Sequence, residues 1–303
     1  MARRLKLGLA LGTGAAKGWA HIGVIRALEE HGLVPDIVTG TSAGALVGGA
    51  YVAGYLDELE AWVRSLRWSD VVALLDFRFS GGLIRGNRVI NHLREGMHGL
   101  QVEDLPIPYA AVATDLDFGT EVWLREGPLL DAIRASIALP GLFSPLRVEG
   151  RWLVDGGLVN PVPVSLCRAL GADVVIAVDL TLQAQLARAG QRLAEKGQDG
   201  AEQDWFRDLL QGMLGRFRAP KEDKDLLPSL IDVAVRSVNI MTERIARSRM
   251  AGDPADLLIM PRVADISLME FHRANEAIPL GYEAAQRHGV ELERLRTYLD
   301  RAR

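Results

Sequence analysis

The chain has little cysteine, no long uninterrupted apolar run and no marked excess of charge among its 303 residues. Its one cysteine, Cys167, excludes an intramolecular disulfide framework and a CxxC metal site. Lysine and arginine number 35 against 39 aspartate and glutamate residues, so the net charge of −4 provides no basic field and we expect no nucleic-acid partner. Apolar residues (49%) and glycine (31 residues) are abundant, as is typical of a globular α/β enzyme with many tight turns.

The longest stretch without charge, residues 37–56, does not read as a membrane-spanning helix. Five glycines interrupt it, whereas a spanning helix needs about 20 predominantly apolar residues. A strand, a turn and a buried helix explain the stretch better. We therefore expect a cytoplasmic protein, with peripheral rather than spanning contact at the inner face of the membrane.

The first residues permit two interpretations. Basic residues precede the short apolar run Leu7–Leu11, and Ala15-Ala16 resembles a cleavage site, as in a secretory signal. The same run also fits a buried first strand that leads into a glycine turn. Because cleavage would remove that glycine turn, we favour the strand.

Strands and helices alternate along residues 1–182, which we expect to form one core. The alternation predicts an α/β fold in which a mostly parallel sheet lies between helices. The predicted strands are Lys6–Leu11, Asp36–Thr39, Tyr109–Asp115, Thr120–Leu124, Trp152–Val154 and Asp173–Asp179. The predicted helices are Gly18–His31, one from Ala43, Asp57–Leu66, Asn87–Met97, Leu129–Ser136 and Val164–Leu170.

The pattern changes in residues 183–227, which we interpret as a polar insertion containing an amphipathic helix. Apolar residues recur at helical spacing from Trp205 to Phe217, with arginines between them. We favour a helix packed on the body, and a lid or interfacial helix that touches lipid is the alternative. Residues 228–303 then complete the same domain, with a helix to Met250, a strand at Asp256–Pro261 and a closing helix around Glu270–Arg287.

A glycine-rich loop, Gly12–Gly18, follows the first strand and opens a helix. Such a loop directs backbone N–H groups at an anion. It is not a Walker A loop, because Gly18 rather than serine or threonine follows Lys17. A dinucleotide loop would need an acidic residue at the end of the second strand, but Asp36 lies at its beginning. A nucleotide-dependent oxidoreductase is therefore the weaker alternative.

The second strand ends in Gly40-Thr-Ser42-Ala-Gly44, a Gly-x-Ser-x-Gly string between a strand and a helix. This pattern is typical of a nucleophile elbow, in which a sharp turn exposes the serine and the glycines permit close packing of strand against helix. A plain tight turn is the alternative. The context favours Ser42 as a nucleophile.

A nucleophilic serine needs a base, and the sequence offers no convincing histidine. Only His272 and His288 come late enough for the usual order of an α/β-hydrolase triad, and both fit surface or capping positions. Asp155 is the other candidate, because apolar residues lead it to a tight Asp-Gly-Gly turn. Burial beside the serine would raise the pKa and the basicity of its carboxylate. Taken alone, Asp-Gly-Gly is better explained by a hairpin or strand-end turn.

Four motifs together resemble those of patatin-like phospholipases in order and spacing. They are the glycine loop, Gly-Thr-Ser-Ala-Gly, Ala135-Ser-Ile-Ala-Leu-Pro-Gly141 and Asp155-Gly-Gly. The string Leu11–Ile25 is especially similar to that of bacterial RssA-type members. Arg249–Pro254 and Phe271–Ala274 are also similar, so the resemblance covers most of the chain.

The resemblance implies a patatin-like fold with a helical insertion and C-terminal helices. It implies that Ser42 is the nucleophile and Asp155 its only partner and proton acceptor, a dyad without histidine. The oxyanion hole would be formed by Gly12, Gly14, Ala15 and Lys17. Many members have three successive glycines and an arginine where this chain has Thr13-Gly-Ala15 and Lys17. Backbone donors survive that change, while Lys17 either orients the loop, meets a lipid phosphate or is solvated.

We expect a serine acyl hydrolase that cleaves lipid esters, phospholipid or lysophospholipid, without a cofactor or metal. Asp115 and Asp117 fit a turn better than a metal site, and Ser136 and Pro140 fit the wall of the site. The alternative is a non-enzymatic regulator that binds lipid or protein on the same fold. A binder needs no nucleophile, base and glycine loop together, which favours the enzyme.

Overall fold

The computed structural model describes residues 4–74, 87–140, 142–181 and 230–301. Within these residues an eight-stranded mixed sheet has the order β5-β6-β3-β2-β1-β7-β8, and β4 pairs with β3 off this path. The strands are β1 Leu7–Leu11, β2 Ile37–Thr41, β3 Tyr109–Asp115, β4 Glu121–Leu124, β5 Leu146–Val148, β6 Arg151–Asp155, β7 Val174–Val178 and β8 Leu257–Ile259. The pairs among β3, β2, β1, β7 and β8 are parallel, and those involving β4, β5 and β6 are antiparallel.

Helices cover the sheet on both faces. The described helices are α1 Ala20–Glu30, α2 Ala43–Val52, α3 Leu56–Ser65, α4 Trp68–Leu74, α5 Asn87–Met97, α6 Leu129–Ser136, α7 Val164–Ala169, α8 Leu230–Gly252, α9 Ala274–Gln286 and α10 Gly289–Arg301. Strands β1, β2, β3 and β7 are buried along their entire lengths. Their near-continuous apolar sequences therefore follow from burial on both faces, and a mostly parallel α/β sheet is confirmed.

The C-terminal elements contact the first ones. Strand β8 adds to β7 at the sheet edge, and α9 packs closely against α1. A Cβ atom at Gly23 would overlap the carbonyl of Ile278, and one at Gly281 would overlap the carbonyl of Ala20. The two glycines thus permit a backbone-to-backbone helix contact that any larger residue would force apart.

Three described elements lie outside the sequence predictions. Among the described strands β5 pairs with β6 alone, and its three residues carry too little periodicity to be recognised. Helix α4 is seven residues long. Helix α10 is largely exposed and buries chiefly Leu292 and Leu299, so its apolar stripe is thin. The predicted closing helix around 270–287 is in fact a 3₁₀ turn, Phe271–Arg273, followed by α9.

The predicted insertion at 183–227, with its Trp205–Phe217 helix, lies outside the described residues. None of the described helices combines the length and the apolar composition that a membrane span requires.

Strand β3 aligns the two chain segments that form the site. Val112 pairs with Thr41 of β2, while the next residue, Ala113, pairs with Asp155 of β6. Both residues also pair with β4, which occupies the opposite edge of β3. Strand β6 therefore continues along the edge where β2 ends. This register brings the residue after Thr41, which is Ser42, beside Asp155.

Candidate active site

Ser42 occupies a sharp turn between β2 and α2. Its backbone has φ 57° and ψ −123°, a strained conformation for a residue with a side chain. The flanking glycines allow the turn, since a Cβ at Gly44 would overlap the carbonyl of Leu11 and one at Gly40 would crowd the backbone of Ala45. The sequence predicts this geometry for Gly-x-Ser-x-Gly, and the structure has it.

The side chains of Ser42 and Asp155 share a short hydrogen bond. Ser42 Oγ donates to Asp155 Oδ2 at 2.6 Å, while the other carboxylate oxygen, Oδ1, accepts from the N–H of Gly157 at 2.7 Å. Ser42 is 8% exposed and Asp155 only 1%. The pair is therefore within reach for proton transfer and largely shielded from water.

Burial raises the pKa of Asp155 to about 6, from an ordinary value of 3.8. The hydrogen bonds from Ser42 and from the Gly157 amide act in the opposite direction, because they stabilise the carboxylate. Removal from water is the larger effect. A carboxylate in this position is a stronger base than an exposed aspartate while still being ionised at neutral pH.

Ser136 bridges the turn and the sheet. Its hydroxyl donates to the carbonyl of Val112 at 2.6 Å and accepts the backbone N–H of Ser42 at 2.9 Å. The amide of Ser42 is therefore already bonded. The predicted position of Ser136 at the wall of the site agrees with this arrangement, and its specific contact with Ser42 is additional.

Two amides of the glycine loop have no hydrogen-bond acceptor among the described residues. The N–H of Gly12 donates to Val178 at 3.0 Å, and that of Lys17 donates to Gly14 at 3.1 Å. Within the described part of the chain, no acceptor is bonded to the N–H groups of Gly14 and Ala15. Of the four residues predicted for the oxyanion hole, Gly12 and Lys17 therefore have amides that are already bonded, and Gly14 and Ala15 have amides that are available as donors. Ala15 has a φ of 48°, which turns the chain at this point.

The histidines considered as bases lie elsewhere. The His272 ring packs edge-on against Trp68, with 5.3 Å between ring centroids, and the His288 backbone lies at the end of α9. Neither is bonded to Ser42 or Asp155 among the described contacts. One histidine that sequence reasoning left without a role does touch the glycine loop: His21 Nε2 lies 2.7 Å from the carbonyl oxygen of Gly12.

Asp36 and Asp115, which the sequence analysis considered for a dinucleotide and for a metal, are bonded to protein groups instead. Asp36 accepts the N–H of Leu7 at 2.9 Å and pairs with Arg4, at the start of β2 rather than its carboxyl end. It is thus misplaced for the ribose of a dinucleotide, which binds at the carboxyl ends of strands. Asp115 accepts the N–H groups of Asp117 and Phe118 and so closes its own turn.

A mostly parallel α/β sheet that carries a serine at a strand-to-helix turn, bonded to a buried carboxylate, is an arrangement typical of serine hydrolases. The family model described as patatin-like phospholipase matches residues 9–168, more than half of the chain. An uncharacterized NTE family protein of Mycobacterium tuberculosis is 38% identical over 327 residues, which cover 91% of this chain and 89% of that protein. The chain belongs to the patatin-like phospholipase family and is a lipid hydrolase.

Most of this chain also aligns with a small part of longer relatives. Lysophospholipase NTE1 of Mycosarcoma maydis is 32% identical over 94% of this chain, which spans 15% of that protein. Patatin-like phospholipase domain-containing protein 6 of Mus musculus is 28% identical over 91% of this chain and 20% of its own length. The crystal structure of VipD from Legionella pneumophila supports the fold, with a TM-score of 0.54, 15% identity and coverage of 94% of this chain and 67% of that one. The RssA-type subgroup stays a prediction.

Proposed function

We propose that this protein is a serine acyl hydrolase that cleaves carboxylic esters of phospholipids or lysophospholipids through an acyl-enzyme on Ser42. The observation that carries the proposal is the 2.6 Å bond from Ser42 Oγ to Asp155 Oδ2 between two buried side chains. A serine hydroxyl is a weak nucleophile, and an adjacent base activates it by accepting its proton. The carboxylate of Asp155 is that base, with no histidine between the two.

In the first half of the reaction Ser42 Oγ attacks the ester carbonyl carbon as Asp155 Oδ2 takes its proton. The carbonyl oxygen becomes an oxyanion that accepts hydrogen bonds from the N–H groups of Gly14 and Ala15. One such donor typically contributes about 10²–10³ in rate. The C–O bond to the alcohol then breaks, and the proton on Asp155 passes to the leaving oxygen.

In the second half, a water molecule attacks the acyl group on Ser42. Asp155 again accepts the proton, and the same loop amides hold the second oxyanion. The C–O bond to Ser42 breaks, the fatty acid leaves, and Ser42 recovers its proton. The burial of Ser42 and Asp155 supports both steps, because hydrogen bonds to an oxyanion are stronger where water is largely excluded.

The lipid substrate class rests on the family and on the names of relatives. Two fungal relatives are named lysophospholipases, at 32% and 29% identity. This supports lysophospholipid as a substrate together with intact phospholipid. The non-enzymatic alternative, a regulator on the same fold, finds no support in a serine and carboxylate that are already hydrogen-bonded.

We further propose that the protein meets its substrate at a bilayer surface, through an aromatic edge beside the site. Phe118 is 78% exposed in the turn after β3, and Leu116 and Trp152 are exposed beside it. Leu116 donates its N–H to the carbonyl of Trp152 at 2.8 Å. Arg147 stacks over the Trp152 ring at 5.7 Å from its centroid. Such a mixture of aromatic side chains and arginine suits the headgroup boundary and its phosphates.

The position of this aromatic edge supports its role. It follows the carboxyl end of β3, and Ser42 follows the carboxyl end of the parallel neighbour β2. Trp152 is three residues from Asp155 along β6. The interfacial helix suggested by the sequence at Trp205–Phe217 lies outside the described residues, and it stays a separate prediction.

Covalent labelling tests the catalytic proposal most directly. A fluorophosphonate probe should modify one serine, and peptide mapping by mass spectrometry should place the label on Ser42. Ser42→Ala should lose both labelling and hydrolysis of a p-nitrophenyl ester while its melting temperature stays close to that of the native protein. Native protein that turns over neither esters nor lysophospholipid would favour the regulator, and full activity in Ser42→Ala would exclude the dyad.

A further inference from the structure

We propose that His21 is a positioning residue for the oxyanion loop. Its imidazole holds the peptide between Gly12 and Thr13, and through that peptide it sets the direction of the next two amides, those of Gly14 and Ala15. The inference rests on the proposed function, since it concerns the geometry of the same site. His21 does not touch substrate in this scheme.

The protonation of His21 follows from its contacts. The side chain is fully buried and its Nε2 lies 2.7 Å from the carbonyl oxygen of Gly12. A carbonyl oxygen only accepts, so Nε2 carries the proton. Nδ1 is buried and has no partner among the described residues, which suits a bare lone pair and not a second N–H. The ring is therefore a neutral, Nε2-protonated donor, and its burial lowers its pKa to about 4.

The peptide that His21 holds is bonded at both ends. The Gly12 carbonyl accepts from His21, and the N–H of the same peptide, on Thr13, donates to the carbonyl of Pro161 at 2.9 Å. Pro161 belongs to the segment that continues from Asp155, and its neighbour Asn160 accepts from the hydroxyl of Thr41 at 2.8 Å. One peptide plane thus links α1, the glycine loop and the chain that carries the base.

The same carbonyl also lies against the turn that carries Ser42. A Cβ at Gly44 would approach the Gly12 oxygen to 2.6 Å, so the first turn of α2 packs directly on this peptide. Because α1 is in turn packed closely on α9, His21 projects from a rigid element. Rotation of the peptide would be opposed from three sides.

Loss of the His21 hydrogen bond would misdirect the proposed donors of the oxyanion hole. The N–H groups of Gly14 and Ala15 directly follow the held peptide, and Ala15 has a left-handed φ of 48°. A residue with a side chain keeps that conformation only where its surroundings determine it. Without a donor from His21, the Gly12 carbonyl would be buried and unsatisfied, so the peptide would turn to seek another partner. The two amides would then miss the oxyanion.

A pair of substitutions separates this role from simple packing. His21→Met keeps apolar bulk and removes the donor, whereas His21→Gln places an amide N–H near the position of Nε2. We expect His21→Met to lower kcat about 10- to 100-fold on a soluble ester, with KM within about twofold of the native value. His21→Gln should recover much of that loss. His31→Met is the matched control, because His31 contacts Gln286 at a distance from the loop.

A transition-state analogue gives the second measurement. An alkyl trifluoromethyl ketone forms a tetrahedral adduct with a serine and leaves an oxyanion in the hole. The affinity for the ketone should fall in His21→Met by the same factor as kcat/KM. The affinity for a fatty alcohol of the same chain length, which forms no adduct, should stay unchanged. A parallel loss on both ligands would instead indicate a packing role and overturn the inference.

The outcomes also separate this inference from the proposed function. If Ser42→Ala retains activity, the dyad fails whatever His21 does. If Ser42→Ala is inactive and His21→Met keeps native kcat, only the role of His21 fails. Should His21→Met not fold, ¹⁵N shifts of the imidazole in the native protein decide: a neutral Nε2–H tautomer down to pH 5 supports the contact, and an imidazolium or an Nδ1–H tautomer contradicts it.

Discussion

The backbone N–H of Ser42 donates to the hydroxyl of Ser136 at 2.9 Å, and that hydroxyl donates onward to the carbonyl of Val112. The strained turn at Ser42 is therefore fastened to β3 through one side chain. Because β3 also pairs with Asp155, the same strand holds both members of the proposed dyad. The bond also occupies the Ser42 amide, and in the proposed function the oxyanion is held by the glycine loop.

Ser136→Ala should destabilise the protein and lower its kcat without abolishing activity. The change leaves a buried amide and a buried carbonyl without their partner, which costs about 1–3 kcal/mol for such a group. We expect a lower free energy of unfolding in urea titration and a kcat reduced far less than in Ser42→Ala. An activity as low as that of Ser42→Ala in folded protein would place Ser136 in the chemistry itself.

Asp155→Asn should inactivate the enzyme and stabilise the fold at neutral pH. The asparagine amide retains an acceptor for the N–H of Gly157 but cannot take the proton of Ser42. The loss of kcat should therefore approach that of Ser42→Ala, because removing either member of one catalytic unit removes the function of the whole unit. His272→Ala and His288→Ala are the controls and should keep most activity. A histidine variant as inactive as Asp155→Asn would favour a triad.

The stability change in Asp155→Asn has a definite pH dependence. The folded pKa of about 6 lies above the ordinary 3.8, so the folded state binds this proton more tightly than the unfolded chain. The native protein accordingly loses stability from this group as pH rises from about 4 to about 6, on the order of 2–3 kcal/mol. Thermal unfolding of both proteins should show equal stability near pH 4 and an advantage for the variant at pH 8. If Asp155→Asn were less stable than the native protein at pH 8, the ionised Asp155 carboxylate would not be lowering the free energy of unfolding.

The activity of the native protein should fall on the acid side of neutrality. The reaction needs Asp155 ionised, and its pKa is raised to about 6 by burial. We expect kcat/KM on a soluble ester to be level above pH 7 and to fall about tenfold per pH unit well below 6. A profile that stays level down to pH 4.5 would mean that the free-enzyme base has an ordinary carboxylate pKa.

The aromatic edge should govern vesicle binding. Phe118→Ser combined with Trp152→Ser should weaken sedimentation with phosphatidylcholine vesicles and slow hydrolysis of vesicular lipid, while soluble-ester kcat/KM and the melting temperature change little. Val290→Ser, which removes another exposed apolar side chain on α10, is the control. Unchanged vesicle binding, or a change only in oligomeric state, would overturn the lipid contact.

The sequence alone predicts much of the alternating fold and both candidate side chains. Ser42 is recognisable because its flanking glycines are needed locally by a strained turn. Asp155 is recognisable only through the resemblance of the four motifs, because Asp-Gly-Gly by itself predicts a strand-end turn. Helix Asn87–Met97 and strand Tyr109–Asp115 have the predicted limits, since helical periodicity in the first and a continuous apolar run in the second are local properties of the sequence. Strand β5 and helix α10 escape prediction because a short strand and an exposed helix carry little apolar pattern.

Pairing and bonding state are properties of the folded chain. Ser42 and Asp155 are 113 residues apart, and no local pattern encodes their contact; the register of β3 between β2 and β6 creates it. The family resemblance implies four loop residues for the oxyanion hole, but only the fold shows which of their amides already have acceptors. His21 has an ordinary place in a helical pattern, and its contact with Gly12 arises when α1 packs beside the loop. The sequence by itself therefore determined the turn motifs and the candidate residues that they carry. The tertiary structure decided their hydrogen-bond partners and burial, because these depend on contacts that form only when the segments pack together.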